Sequence, residues 1–240
     1  SFKLHLQNNL AQQKEQQRYR QRKIVQSAQD THVQIAGKQY LNFCSNDYLG
    51  LANHPRLIER QKKALDSYGC GSGASHLVCG HSQAHHQLEE ELADFIGVES
   101  TLLFSSGYMA NMGIMNTFLS RHDGIFEDRL NHASLIDAGL SAKAKMKRYV
   151  HSDSSNLNQL LEKSNTKHKL IVSDAVFSMD GDIAPITELV EIAEKNSAWL
   201  MLDDAHGFGV LGKSGKGSIE HAQLNTNQID IYMATLGKSM

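Results

Sequence analysis

Ala234-Thr235-Leu236-Gly237-Lys238-Ser239 is the stretch whose reading decides the fold. It follows an apolar run, 229–234, that reads as a buried strand. A second apolar run, 199–203, ends in an acid, and Asp203-Asp204-Ala205-His206-Gly207 turns away from it. A lysine at the end of a buried strand carries a costly charge, so its pKa should fall. The neutral amine that results can attack a carbonyl and form a Schiff base. Snorkelling of the same lysine to the surface is the plainer alternative.

Working back from this end, short apolar runs alternate with helical patterns. Strands are expected at 101–105, 124–127, 147–151, 170–176, 199–203 and 229–234, and helices at 108–119, 133–142, 156–163 and 186–196. This alternation predicts an α/β fold, a mostly parallel (mixed) sheet flanked by helices. Ligands of such sheets bind at the carboxyl ends of the strands. Before this region, helices are expected at 56–68 and 83–96, the latter stopped by Gly97. Residues 32–43 read as a hairpin around Gly37-Lys38, with a type II′ turn. Residues 1–28 read as a solvated helix, with Glu15 as the only acid against six basic residues. The division expected is an N-terminal helix and hairpin arm, 1–44, and a large domain, 45–240.

The composition narrows the function. The chain has 240 residues, 40% hydrophobic, with a formal net charge of -2. A charge this near zero argues against a nucleic-acid partner, and no apolar run is long enough for a membrane span. The N-terminus lacks the apolar core of a secretory signal. Cys44, Cys70 and Cys79 form no C-x-x-C pair and read as reduced thiols of a cytoplasmic protein. The thirteen histidines are scattered, and His85-His86 lacks regular ligand spacing with a partner, so no metal site is expected. Gly69-Cys70-Gly71-Ser72-Gly73 could cradle a phosphate or form a flexible turn, and it matches neither nucleotide fingerprint.

Four features fall at one edge of the expected sheet. Ser105-Ser106-Gly107-Tyr108 opens a helix whose free amides suit a phosphate. Asn131-His132-Ala133-Ser134 opens another, and a flat imidazole there can stack on a pyridine ring. Asp203 can keep a pyridine nitrogen protonated, and His206 can reach the ring oxygen. Thr235-x-x-Lys238 supplies a hydroxyl for a phosphate and the amine. Together these are the parts of a pyridoxal 5′-phosphate (PLP) site.

The chain resembles the α-oxoamine synthases, PLP-dependent enzymes of fold type I. The resemblance runs from about Gln39 onward and rests on SNDYLGL (45–51), GSGASH (71–76), LNHASLIDA (130–138), VFSMDGD (176–182), DDAHGFGV (203–210) and TLGKS (235–239). It implies that Lys238 is the Schiff-base lysine, that Asp203 pairs with the ring nitrogen and His206 with the ring oxygen, and that His132 stacks on the ring. Gly107 and Tyr108 would border the cofactor, while Ser178 and Thr235 would contact its oxygens. Asn46 would lie near the amino-acid substrate and Arg20 at the acyl substrate. GSGASHLVCGHS (71–82) is most similar to family members that join L-alanine to a pimeloyl thioester, on CoA or acyl carrier protein. FCSNDYLGLANHP and TLGK fit equally the members that join glycine to acetyl-CoA. The resemblance further implies a homodimer. It also implies a C-terminal domain, absent from this chain, that carries an arginine for the substrate carboxylate.

Overall fold

The computed structural model describes residues 1–239. They divide into two compact units, Ser1–Ser45 and the residues from Asn46 onward. In the first unit, helix α1 (Phe2–Glu15) is capped by the Ser1 hydroxyl and buries no residue. The basic stretch expected to be helical to residue 28 leaves the helix at Gln16, and Gln17 adopts φ 55°. Strands β1 (His32–Ile35) and β2 (Lys38–Leu41) pair antiparallel, with Ile35 opposite Lys38. The turn is therefore Ala36-Gly37, not Gly37-Lys38. Both residues have positive φ, 50° and 74°, which defines a type I′ turn and replaces the type II′ expectation.

The second unit opens with α2 (Pro55–Tyr68), which has Pro55 in its first turn and Gly69 at its end. A π-helical turn (His76–Gly80) follows, and then α3 (Gln83–Ile96). Ser82 and His85 form a reciprocal cap at the start of α3, and Gly97 ends it in the left-handed conformation, φ 85°. The remainder alternates: α4 (Gly107–Phe118), β3 (Gly124–Asp128), α5 (Ala133–Ser141), β4 (Lys145–Tyr149), α6 (Ser154–Glu162), β5 (Lys169–Asp174), α7 (Ile186–Lys195), β6 (Trp199–Asp203), the short α8 (Ser218–His221) and β7 (Ile231–Met233). The sheet order is β4-β3-β5-β6-β7, and every pairing is parallel.

Residues 101–105 do not join the sheet. The amide of Leu103 bonds the Glu89 carboxylate instead of a strand neighbour, and Leu102 stays largely exposed. Polar side-chain capture has replaced a ladder partner there, and the five-stranded sheet of the described residues is parallel throughout, without the mixed pairing expected.

Two apolar layers sandwich the sheet, as the near-continuous apolar runs require. Ile125, Leu170, Val172, Met201 and Met233 face one way, onto Met115 of α4 and Leu135 of α5. Phe126, Ile171, Leu200 and Leu202 face the other, onto Leu157 of α6 and Leu189 of α7. Side chains alternate along a strand, so the residue that ends each run has its face fixed by the core residues before it. Asp174 shares parity with Leu170 and Val172, and Asp203 with Met201. In the register Asp174 lies opposite Asp203, and Asp203 opposite Met233. Two carboxylates and a methionine thus line up on the α4–α5 face at the carboxyl end of the sheet.

Candidate active site

A cavity of about 190 Å³ opens at this edge. The residues expected at 107, 108, 132, 178, 203, 206, 235 and 238 all line it. They arrive from six chain segments: the start of α4, the start of α5, the loop after β5, the end of β6, the turn after it, and the segment beyond β7.

Lys238 and His206 form its polar centre. Lys238 Nζ lies 2.8 Å from His206 Nε2. A ring that accepts at Nε2 carries its proton on Nδ1, and Nδ1 lies 2.7 Å from the Tyr48 hydroxyl. The hydroxyl in turn donates to Asn46 Oδ1 at 3.2 Å. One polar chain therefore runs Lys238, His206, Tyr48, Asn46. Burial, with the charges of Lys238 and His132 behind it, pushes His206 down to about 4. Burial also lowers the Lys238 amine, against the opposing pull of Asp203 and Asp174.

Asp203 is 3% exposed. Its Oδ2 accepts from Asn111 Nδ2 at 3.0 Å and its Oδ1 from the Ala205 amide at 3.1 Å. Burial raises its pKa, while Asn111 and the amide oppose the rise. Asn111 also donates to Ser134 Oγ at 2.9 Å, and Ser134 Oγ lies 2.7 Å from His132 Nδ1. Asp174 fixes the other side of His132 by accepting its backbone amide at 2.6 Å. Burial and the neighbouring Asp203 charge push Asp174 up to about 8.

The amides of Gly107 and Tyr108 begin α4, where no preceding turn supplies carbonyl partners, while Ser106 caps Met109. Thr235 Oγ1 accepts the Gly237 amide at 3.1 Å, which curls the chain between the hydroxyl and Lys238. Asn46 does not line the cavity but stands at the end of the polar chain. Arg20 is an exposed residue of the N-terminal unit.

Reading the sequence missed Asp174, Asn111, Ser134 and Tyr48. Asp174 carried a usable signal, because it ends an apolar run as Asp203 does. Asn111 and Ser134 carried none: each is a polar residue within a helical pattern, and their burial follows from contacts distant in sequence.

The donor set fits a flat, anionic ligand with a cationic ring nitrogen. Two buried carboxylates are destabilised as anions and would gain from a nearby N–H⁺. Across the cavity stand an amine, two imidazoles, free helix amides and hydroxyls. A family model, aminotransferase class I and II, matches residues 38–240. The chain belongs to that family.

Among curated relatives, the 8-amino-7-oxononanoate synthase of Cellvibrio japonicus is 55% identical over 96% of this chain and 58% of its own length. That of Methylococcus capsulatus is 54% identical over 96% of this chain and 60% of its own. Among solved structures, a serine palmitoyltransferase from S. paucimobilis with bound PLP–myriocin aldimine superposes with TM-score 0.90 at 30% identity, covering 98% of this chain and 60% of its own. An 8-amino-7-oxononanoate synthase from Francisella tularensis superposes with TM-score 0.70 at 36% identity, covering 82% of this chain and 54% of its own. The chain thus spans about 60% of the length of the curated relatives it matches. No helix of the described residues is long and apolar enough to cross a membrane.

Proposed function

We propose that this chain is the cofactor-binding part of an 8-amino-7-oxononanoate synthase. In this reading L-alanine is joined to a pimeloyl thioester, on CoA or acyl carrier protein, with loss of carbon dioxide and the thiol, in biotin biosynthesis. The observation that carries the proposal is the convergence of Lys238, His206, Asp203 and His132 on one cavity, in a chain 55% identical to an enzyme of that name.

Pyridoxal 5′-phosphate, when bound, supplies a protonated ring that withdraws electrons from the carbon beside an amino group. Asp203 would hold a proton on the ring nitrogen, because a carboxylate this buried is stabilised by a cation. Lys238, its pKa lowered by burial, would hold the cofactor through its neutral amine and would be the base placed to accept a proton at Nζ from the substrate α-carbon. His206, pushed down to about 4 by burial, stays neutral and holds Lys238 through Nε2 at 2.8 Å, and it would be the group to contact the ring oxygen. His132 provides a flat wall, held in orientation by Ser134 and Asp174. The amides of Gly107 and Tyr108 and the hydroxyls of Thr235 and Ser178 take the phosphate and ring oxygen.

Asn46 and Arg20 are assigned to the amino-acid and acyl substrates. The assembly is a homodimer of arm-bearing large domains, and the compartment is the cytoplasm.

The serine palmitoyltransferase superposes with the higher TM-score, 0.90 against 0.70. Identity argues the other way: 30% to that structure, against 36% to the synthase structure and 55% to the curated synthase. The deciding experiment is a product assay on the full-length enzyme. L-alanine with pimeloyl-CoA should give 8-amino-7-oxononanoate and carbon dioxide. Faster turnover of glycine with acetyl-CoA, or of serine with palmitoyl-CoA, would overturn the substrate assignment.

A further inference from the structure

A second cluster of ligating side chains lies at the start of α3, separate in sequence from every residue of the cavity. The π-helical turn delivers His81, and the first two turns of α3 deliver His86 and Glu89. One ligand atom from each of the three lies within 4.8 Å of the others. We propose that His81, His86 and Glu89 form a three-ligand site for a divalent transition-metal ion of the zinc class. The expectation of no metal site drawn from the sequence is revised accordingly. The spacing 81, 86, 89 looks irregular because one ligand comes from a turn and two from a helix face.

The surroundings orient the ligands as metal sites require. Glu89 Oε1 is held by the Leu103 amide at 2.9 Å, which leaves Oε2 as the free donor. That oxygen lies 3.8 Å from His81 Nε2. The other nitrogen of His81, Nδ1, lies 3.0 Å from His76 Nδ1. When His81 donates there, its Nε2 presents a lone pair toward a carboxylate oxygen. In that tautomer the Nε2 lone pair and the Glu89 oxygen converge on one point, where a cation would be held by both. The Glu89 side chain is 15% exposed and His81 32%, so both are partly desolvated, which strengthens the pull on an ion.

Geometry and chemistry also select the ion. Zinc with nitrogen and oxygen ligands at about 2.0–2.2 Å needs donor atoms about 3.3 Å apart in a tetrahedron. His81 and Glu89 are close to that already. His86 is more exposed, at 56%, and its ring stands edge-on to that of His81, 5.7 Å between centroids. Its present partner Glu90, at 3.4 Å, forms a solvent-exposed pair of little energetic worth. Two imidazoles and one carboxylate suit a borderline ion over calcium or magnesium, which take oxygen donors. The fourth position is left to water. His85 is excluded from the set because its Nδ1 caps Ser82.

The test uses the full-length, cofactor-loaded enzyme after removal of metals with a chelator. Co²⁺, whose visible absorption reports its coordination, and Zn²⁺ by calorimetry are the probes. One equivalent per chain should bind, with cobalt absorption of low coordination number. His86→Ala and Glu89→Gln should each weaken binding at least tenfold, on the order of effects at metal ligands. Glu89→Gln keeps an acceptor for Leu103 and so preserves the fold, which circular dichroism checks. His76→Ala should weaken binding less, and His122→Ala should leave it unchanged. No stoichiometric binding, or affinity in His86→Ala and Glu89→Gln unchanged from the parent protein, would overturn the proposal. Catalytic activity plays no part in this readout, so it stands or falls apart from the proposed reaction.

Discussion

The Tyr48 hydroxyl stands 2.7 Å from His206 Nδ1, joining residues 158 positions apart in sequence. It anchors the ring at Nδ1 while Nε2 faces Lys238 at 2.8 Å. Tyr48→Phe should leave His206 Nδ1 without its partner. Loss of one such bond costs about 1 kcal/mol, so cofactor affinity should fall roughly threefold to tenfold. Titration of the apoenzyme with PLP, followed by visible absorbance, measures it; an unchanged Kd would remove Tyr48 from the site.

Lys238→Ala should abolish turnover by the full-length enzyme. The visible absorbance of the resting, cofactor-loaded protein should also be lost, because the carbonyl has no amine to bond. A variant that kept both would assign the amine to another residue.

Asp203→Asn keeps the shape and the contact with Ala205, but removes the charge. Exchange of the alanine α-proton should slow on the order of a hundredfold, the scale of losing one properly placed ionisable group in catalysis. Cofactor binding should weaken less than proton exchange slows. Equal losses in both would mean that Asp203 only binds.

Glu127 gives a pH-dependent stability with a definite sign. It is fully buried, neither carboxylate oxygen has a hydrogen-bond partner, and burial pushes its pKa up to about 7, against a modest pull from Arg148. The folded state therefore binds a proton more tightly than the unfolded chain does. Stability should fall as pH rises from about 4.5 through 7 and level off above that. Glu127→Gln should remove this slope and raise the urea midpoint at pH values above 7, while matching the parent protein near pH 4.5.

His151 should add a slope of the same sign. Burial opposes its charge, but Asp128 and Asp182, each 2.9 Å away, outweigh burial and raise its pKa. A histidine raised in the fold stabilises fully below its unfolded pKa, and the contribution is lost as pH rises through the folded value. In His151→Gln the fall in urea midpoint between pH 6 and 9 should be shallower, with Glu127 left intact.

The two ends of the site differed in how far the sequence revealed them. The run 199–203 was legible in full, because four buried residues, 200–203, leave no polar alternation and an acid marks the edge. Helix 83–96 was legible because Ser82 and Gly97 bracket it. Both are local signals. The hairpin turn was displaced by one residue because the register depends on which side chains pair, not on where the glycine sits. The 101–105 run is apolar enough for a strand, yet the Glu89 carboxylate, distant in sequence, captured its backbone. Asn111 was illegible for the same reason, since its place beside Asp203 spans 92 positions. Local chemistry wrote the elements; long-range capture of polar groups decided which residues meet.

The alignment of Asp174, Asp203 and Met233 across three strands makes the cavity a gauge of correct assembly. A slip of β6 by one residue against β5 would turn Asp203 toward α7 and bring Leu202 into its place. The misthreaded chain would still bury leucine against an apolar helix layer, so hydrophobic collapse alone would tolerate it. It would not hold a charged ring. Ligand binding then adds free energy only to the correctly registered sheet, and during folding PLP would act as a proofreader of strand alignment as well as a reagent.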